Sequence, residues 1–81
     1  METRPQILIA DDHVVFAEGL RLLLEKHHTV VGTVADGHAL ITEALRLTPD
    51  VIVVDIGMPL LNGLDAANRV RQRLPNIKSY S

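Results

Sequence analysis

Cysteine is absent, which rules out a disulfide framework, a thiolate nucleophile and any cysteine-based zinc site. No apolar run approaches the ~20 residues that a transmembrane helix needs. Asp11-Asp12 interrupts the first apolar stretch, so the N-terminus does not read as a signal peptide. An excess of basic charge is lacking: the formal net charge is -2. The only basic run, Arg69, Arg71 and Arg73, is spread by its spacing over different faces of a helix. An electrostatic footprint for nucleic acid is therefore not expected. Neither a Gly-x-Gly-x-x-Gly segment nor a P-loop occurs, against a nucleotide-binding Rossmann domain. Aromatic residues are few, and there is no internal repeat, linker or low-complexity segment. What remains is an ordinary globular composition, cytoplasmic by default, with neither a membrane nor a nucleic-acid partner expected.

What is present is an alternation of short aliphatic runs and helical patterns. With 81 residues the chain is one domain at most. A chain near this size buries only ~60% of the surface it exposes when unfolded, so marginal stability is expected. Gln6 to Ala10 is continuous and aliphatic and predicts a buried strand. A helix opens at Asp12 or His13, with Phe16, Leu20, Leu23 and Leu24 at helical spacing, and His27-His28 ends it. Phe16, Leu20 and Leu24 are expected in the core. Thr29 to Ala35, rich in Val and Thr, predicts a second strand. Asp36-Gly37 reads as a turn and cap before a second helix from about His38 to Leu47, which Thr48-Pro49 stops. Val51 to Asp55 predicts a third strand, and Ile56 to Asn62 a loop. A third helix follows Asn62-Gly63, carrying Leu64, Ala67, Val70 and Leu74, and Pro75-Asn76 ends it. The pattern allows a fourth strand to begin at Ile77.

Strands that are aliphatic on both faces and alternate with helices predict a parallel sheet covered on both sides. Ligands on such sheets bind beyond the carboxyl ends of the strands. Asp11 and Asp12 close the first aliphatic run and Asp55 closes the third, so the sheet would gather three carboxylates at one edge. Clustered carboxylates repel and raise one another's pKa. Such a cluster is suited to a hard divalent cation such as Mg²⁺. An isolated Asp in such a place is most simply a helix cap or a solvated turn residue. Three of them on adjacent strand ends point instead to phosphoryl transfer onto Asp55. His13 beside them is not expected to be a ligand. His27-His28 is expected to be a solvated helix end, and His38 an exposed first-turn residue.

The run Ile7-Leu8-Ile9-Ala10-Asp11-Asp12-His13 resembles the opening of a response-regulator receiver domain. So does Pro49-Asp50-Val51-Ile52-Val53-Val54-Asp55-Ile56-Gly57-Met58-Pro59, followed by Asn62-Gly63. Phe16-Ala17-Glu18-Gly19-Leu20 is similar to the subfamily whose receivers precede a helix-turn-helix output domain. The resemblance covers almost every residue from Gln6 to Lys78. It implies a flavodoxin-like, doubly wound parallel α/β sheet, with about three strands and three helices and at most a partial fourth strand. It implies Asp55 as phosphoacceptor, Asp12 as a direct Mg²⁺ ligand, Asp11 as a support acting through water or a hydrogen bond, and Gly57 as a backbone-carbonyl ligand. The implied partner is a sensor histidine kinase or phosphotransfer protein that docks near the first helix. Met58-Pro59 and Gly63 are expected to shape the loop.

A receiver has five strands and five helices, so residues 1–81 would be a partial receiver domain. The Thr or Ser and the Lys that contact the phosphoryl group in this family would lie beyond Ser81, and impaired phosphorylation is expected. With the last strands absent, the third strand would lie at or near the sheet edge. An exposed apolar edge invites pairing with another chain, so a homodimer or swapped oligomer is expected. The leading reading is a signalling module and not a self-sufficient enzyme. The alternative is a non-phosphorylated interaction or dimerisation fragment. A haloacid-dehalogenase-like phosphatase fits poorly, because that class needs a second Asp where Gly57 stands.

Overall fold

In the computed structural model of the chain, residues 4–55, 58 and 63–81 are described. The elements follow in the order β1 (Gln6–Ala10), α1 (Val14–Leu24), β2 (Thr29–Val34), α2 (Gly37–Leu47), β3 (Val51–Val54), α3 (Gly63–Arg73) and β4 (Lys78–Tyr80). The four strands form one sheet in the order β2-β1-β3-β4, and every neighbouring pair is parallel.

Alternation along the two inner strands divides the core. Leu8 and Ala10 of β1 and Ile52 and Val54 of β3 pack with Leu40 and Ala44 of α2 and Ala66, Ala67 and Val70 of α3. Ile7 and Ile9 point to the other face, where Ala17 of α1 joins them and Leu20, Leu24, Val51 and Val53 pack around. The aliphatic residues on both faces of β1 and β3 are thus used twice, as parallel strands require. Opposite β1, the β2 register shifts between Ile7 and Leu8, which pair with Val30 and Gly32. The extra residue, Val31, then packs on the α2/α3 face while Val30 stays on the α1 face. A Cβ added at Gly32 would touch Leu8 Cδ1 at 3.4 Å and Leu47 Cδ1 at 3.7 Å.

Helix ends follow local chemistry. Asp36 caps α2, its carboxylate accepting a hydrogen bond from the Ala39 N–H at 2.8 Å. Thr48 ends that helix in the left-handed region at φ 44° before Pro49. The first helix stops at Leu24, three residues before His27. The Leu24 carbonyl accepts from the His27 and His28 backbone N–H groups, so His27-His28 forms the exit turn. His27 and His38 are exposed, and His28 is half-buried.

One expectation is corrected and one is made definite. Phe16 is 62% exposed, not core. On its face of the sheet α1 buries only the stripe Ala17, Leu20 and Leu24, and Phe16 lies about 100° round the helix from Ala17. The third strand lies near the edge, as expected, but not at it, because β4 pairs with it through Val51↔Lys78, Ile52↔Ser79 and Val53↔Tyr80. Backbone pairing does not require apolar side chains, so a polar strand can close the sheet with Lys78 and Tyr80 exposed and Ser79 half-buried. The open edge on that side belongs to β4.

Candidate functional site: an acid cluster at the carboxyl ends of β1 and β3

The sheet itself brings the acids together. The Asp11 N–H donates to Val34 O at 2.9 Å and the Asp55 N–H to Ala10 O at 2.8 Å, so each acid prolongs the backbone ladder by one residue. Beyond that point the chain leaves the sheet, and the carboxylates emerge side by side. Asp11 is the most enclosed, with its side chain 9% exposed against 28% for Asp55 and 33% for Asp12. Asp11 Oδ1 accepts from the His13 backbone N–H at 2.8 Å. That short turn holds its rotamer and starts α1.

His13 stands in the middle of the cluster. Its Nδ1 lies 2.9 Å from Asp11 Oδ1, 3.2 Å from Asp12 Oδ1 and 3.5 Å from Asp55 Oδ2. One donor atom from each of Asp11, Asp12, His13 and Asp55 lies within 4.8 Å of all the others, an arrangement that could hold a metal ion. The hydrogen bond to Asp11 raises the His13 pKa above 6.5, and the charges of Asp12, Asp11 and Asp55 add to it. The three acids expected at the strand ends come together here, and His13, not expected as a ligand, lies among them. The signal for it was its position, directly after the paired acid, where the helix begins. Gly57, the expected carbonyl ligand, lies outside the described residues. Met58, one residue beyond, is buried in the α2/α3 core.

The sequence of residues 7–80 matches the response regulator receiver domain family. This chain belongs to the receiver-domain family of two-component response regulators. The transcriptional regulatory protein DegU of Brevibacillus brevis is 39% identical over 95% of this chain and 34% of its own length. The chain spans about a third of the length of such curated relatives. Among solved structures, the receiver domain of AraT, a response regulator from Geobacillus stearothermophilus, superposes with a TM-score of 0.86 at 35% identity, over 95% of this chain and 62% of that one. RcsB from Salmonella enterica serovar Typhimurium, solved bound to a promoter in the presence of phosphomimetic BeF₃⁻, gives 0.83 at 28% identity, over 95% and 40%. The doubly wound receiver architecture is therefore established for these residues, and three of the four expected metal-site residues fall in one cluster.

The carboxylates are a hard oxygen donor set, and the His13 imidazole sits among them, its protonated form favoured by their charge. A small divalent cation meets the same electrostatic demand. A shallow groove of about 900 Å³ runs from Asp11 and Asp55 along the α1 face, past Phe16, Leu20 and Val53. Among the described residues no helix is long and apolar enough to cross a membrane.

Proposed function

We propose that this chain is a phosphoacceptor receiver module that takes a phosphoryl group on Asp55, with Mg²⁺, from a phosphohistidine of a sensor histidine kinase or phosphotransfer protein. The observation that carries the reading is the convergence of Asp11, Asp12 and Asp55 at the carboxyl ends of two adjacent strands. A carboxylate oxygen of Asp55 attacks phosphorus in line with the departing imidazole nitrogen. The O–P bond forms as the N–P bond breaks, and the imidazole leaves with the electron pair. Bound Mg²⁺ supplies neutralisation of the phosphoryl oxygens, the main electrostatic requirement of such a transfer. Asp12 would serve as a direct ligand of the cation, and Gly57, which lies outside the described residues, would add its backbone carbonyl. Asp11, pinned by the His13 N–H, orients the site from its enclosed position. The His13 ring, 71% exposed, has room to swing out and leave the carboxylates to the cation. The kinase or phosphotransfer partner approaches along α1, where Val15 and Phe16 are exposed beside the cluster.

Intact-mass spectrometry after incubation with acetyl phosphate tests this reading. The expected result is one phosphoryl adduct that disappears with EDTA or in Asp55→Asn. An adduct of equal yield in Asp55→Asn would overturn it.

A second reading rests on a different observation. Val15, Phe16, Leu22 and Leu23 leave an apolar stripe exposed on α1, and β4 carries an open backbone edge. Both favour self-association, with the chain acting as a dimerisation module. Sedimentation equilibrium distinguishes the readings: this one requires a concentration-dependent dimer whether or not Asp55 is intact.

A further inference from the structure

At the amino-terminal ends of the strands, opposite the acid cluster, lies a second concavity of about 670 Å³. It is bounded by the residues that lead into β1, β3 and β4 and by the end of α3. Ligand pockets are typically ~300–1,000 Å³, mostly apolar, with a few polar groups to fix orientation. The floor here is of that kind: Pro49 and Ile77 are buried, and Val51 and Leu74 are half-buried. Arg73 and Lys78 stand on the rim, both exposed. Neither side chain makes an ion pair or a hydrogen bond with any described residue.

The other two charged side chains among the described lining residues, Asp50 and Arg4, each hydrogen-bond a backbone group. Asp50, the only acid among the described lining residues, accepts from the Gln6 N–H at 2.7 Å through Oδ2. The Arg4 guanidinium donates to Glu25 O at 3.2 Å. The groove therefore offers two cations with no side-chain partner among the described residues, Arg73 and Lys78, beside an apolar floor, with Asp50 at its edge.

We propose that this groove binds a small organic anion: a phosphoryl or carboxylate group carried on an apolar ring. Arg73 and Lys78 would take the anionic head, and the Pro49–Ile77 floor would take the ring. An inorganic ion would leave that floor unused, and a neutral ring would leave the cations unused. The same anion would be repelled by the three carboxylates at the opposite end, so the charge distribution selects this end of the sheet. The site is independent of phosphorylation at Asp55.

The test is a titration of the isotope-labelled chain followed by amide NMR, without Mg²⁺. Phenylphosphonate, whose P–C bond cannot donate a phosphoryl group, and phenylacetate serve as probes. Inorganic phosphate and benzyl alcohol serve as controls. Saturable shifts confined to Thr48–Val51 and Leu74–Lys78, with Asp11–His13 and Asp55 unmoved, are expected for at least one probe. Whichever probe binds more tightly identifies the preferred head group. Affinity should fall about tenfold or more in R73Q/K78Q, as expected when charge-assisted contacts are lost, and return in R73K/K78R. Both residues are exposed, and a dispersed amide spectrum of each variant confirms that the fold persists. Four results would overturn the proposal: no saturable shift, equal affinity in R73Q/K78Q, inorganic phosphate binding as tightly as phenylphosphonate (an adventitious ion only), or benzyl alcohol binding as tightly as either probe.

Discussion

Asp12 is exposed and contributes nothing to the core, so its replacement changes charge at the cluster and little else. Asp12→Ala is expected to weaken Mg²⁺ binding by about tenfold or more in calorimetric titration, the scale on which even outer groups at metal sites act. An unchanged affinity would remove Asp12 from the ligand set. His13 gives a pH dependence with a defined sign. Its folded pKa is raised, chiefly by the hydrogen bond to Asp11 and then by the charge of Asp12. The stabilisation it supplies to the metal-free chain is therefore fully present below its ordinary value of 6.5 and is lost as pH rises through the raised value. NMR titration should place the His13 midpoint above 6.5, and Asp11→Asn should bring it down. An unmoved midpoint in that variant would contradict the contact. At this scale the three acids were legible, because an aliphatic run ending in Asp marks a strand end. The centre of the cluster was not, because ring orientation depends on the turn that Asp11 makes with the His13 N–H.

Helices α1 and α2 show how element boundaries follow from single residues. Asp36 was readable as a cap from the Asp-Gly step before an apolar helical pattern, and Asp36→Ala is expected to cost about 1 kcal/mol. Denaturant unfolding measures that cost. Gly19 sits inside α1 with no positive φ, and an added Cβ would meet nothing within 4 Å. Gly19→Ala should therefore stabilise the chain by ~0.4–1 kcal/mol, and destabilisation would show an unrecognised close contact there. The apolar pattern of α1 was misleading for Phe16 and Leu23. Periodicity reports which residues share a stripe, and α1 has one stripe against the sheet and another facing outward. The polar strand β4 was also hard to read, because its pairing comes from backbone groups of β3 and not from the chemistry of Lys78, Ser79 and Tyr80.

On the scale of the whole molecule the two sheet faces are unequal. The α2/α3 face holds most of the fully buried side chains, while the α1 face leaves Val51 and Val53 only partly covered. Stability should therefore be concentrated around Leu8, Leu40 and Ile52. Leu8→Ala is expected to cost 2–5 kcal/mol, roughly. That is a large share of a small domain's ~5–15 kcal/mol and enough to lower Tm by ~10 °C or more. Val15→Ala, on the exposed side of α1, should stay within about 0.5 kcal/mol. Equal losses in the two variants, followed by thermal denaturation, would contradict this division of the core. The parallel order was legible because aliphatic strands and helices alternate and crossovers are right-handed. The closing strand was legible as a start near Ile77, and it runs over Lys78–Tyr80.

The central claim is that the sheet assembles a phosphoacceptor at Asp55. Its most direct measurement is borohydride reduction of the chain after treatment with acetyl phosphate and Mg²⁺, followed by peptide mapping. Reduction converts an aspartyl phosphate to homoserine and so marks the residue that carried it. Homoserine at position 55, absent when Mg²⁺ is withheld, is the predicted result. Homoserine at Asp11 or Asp12, or at no position in a chain whose amide spectrum shows it folded, would contradict the account.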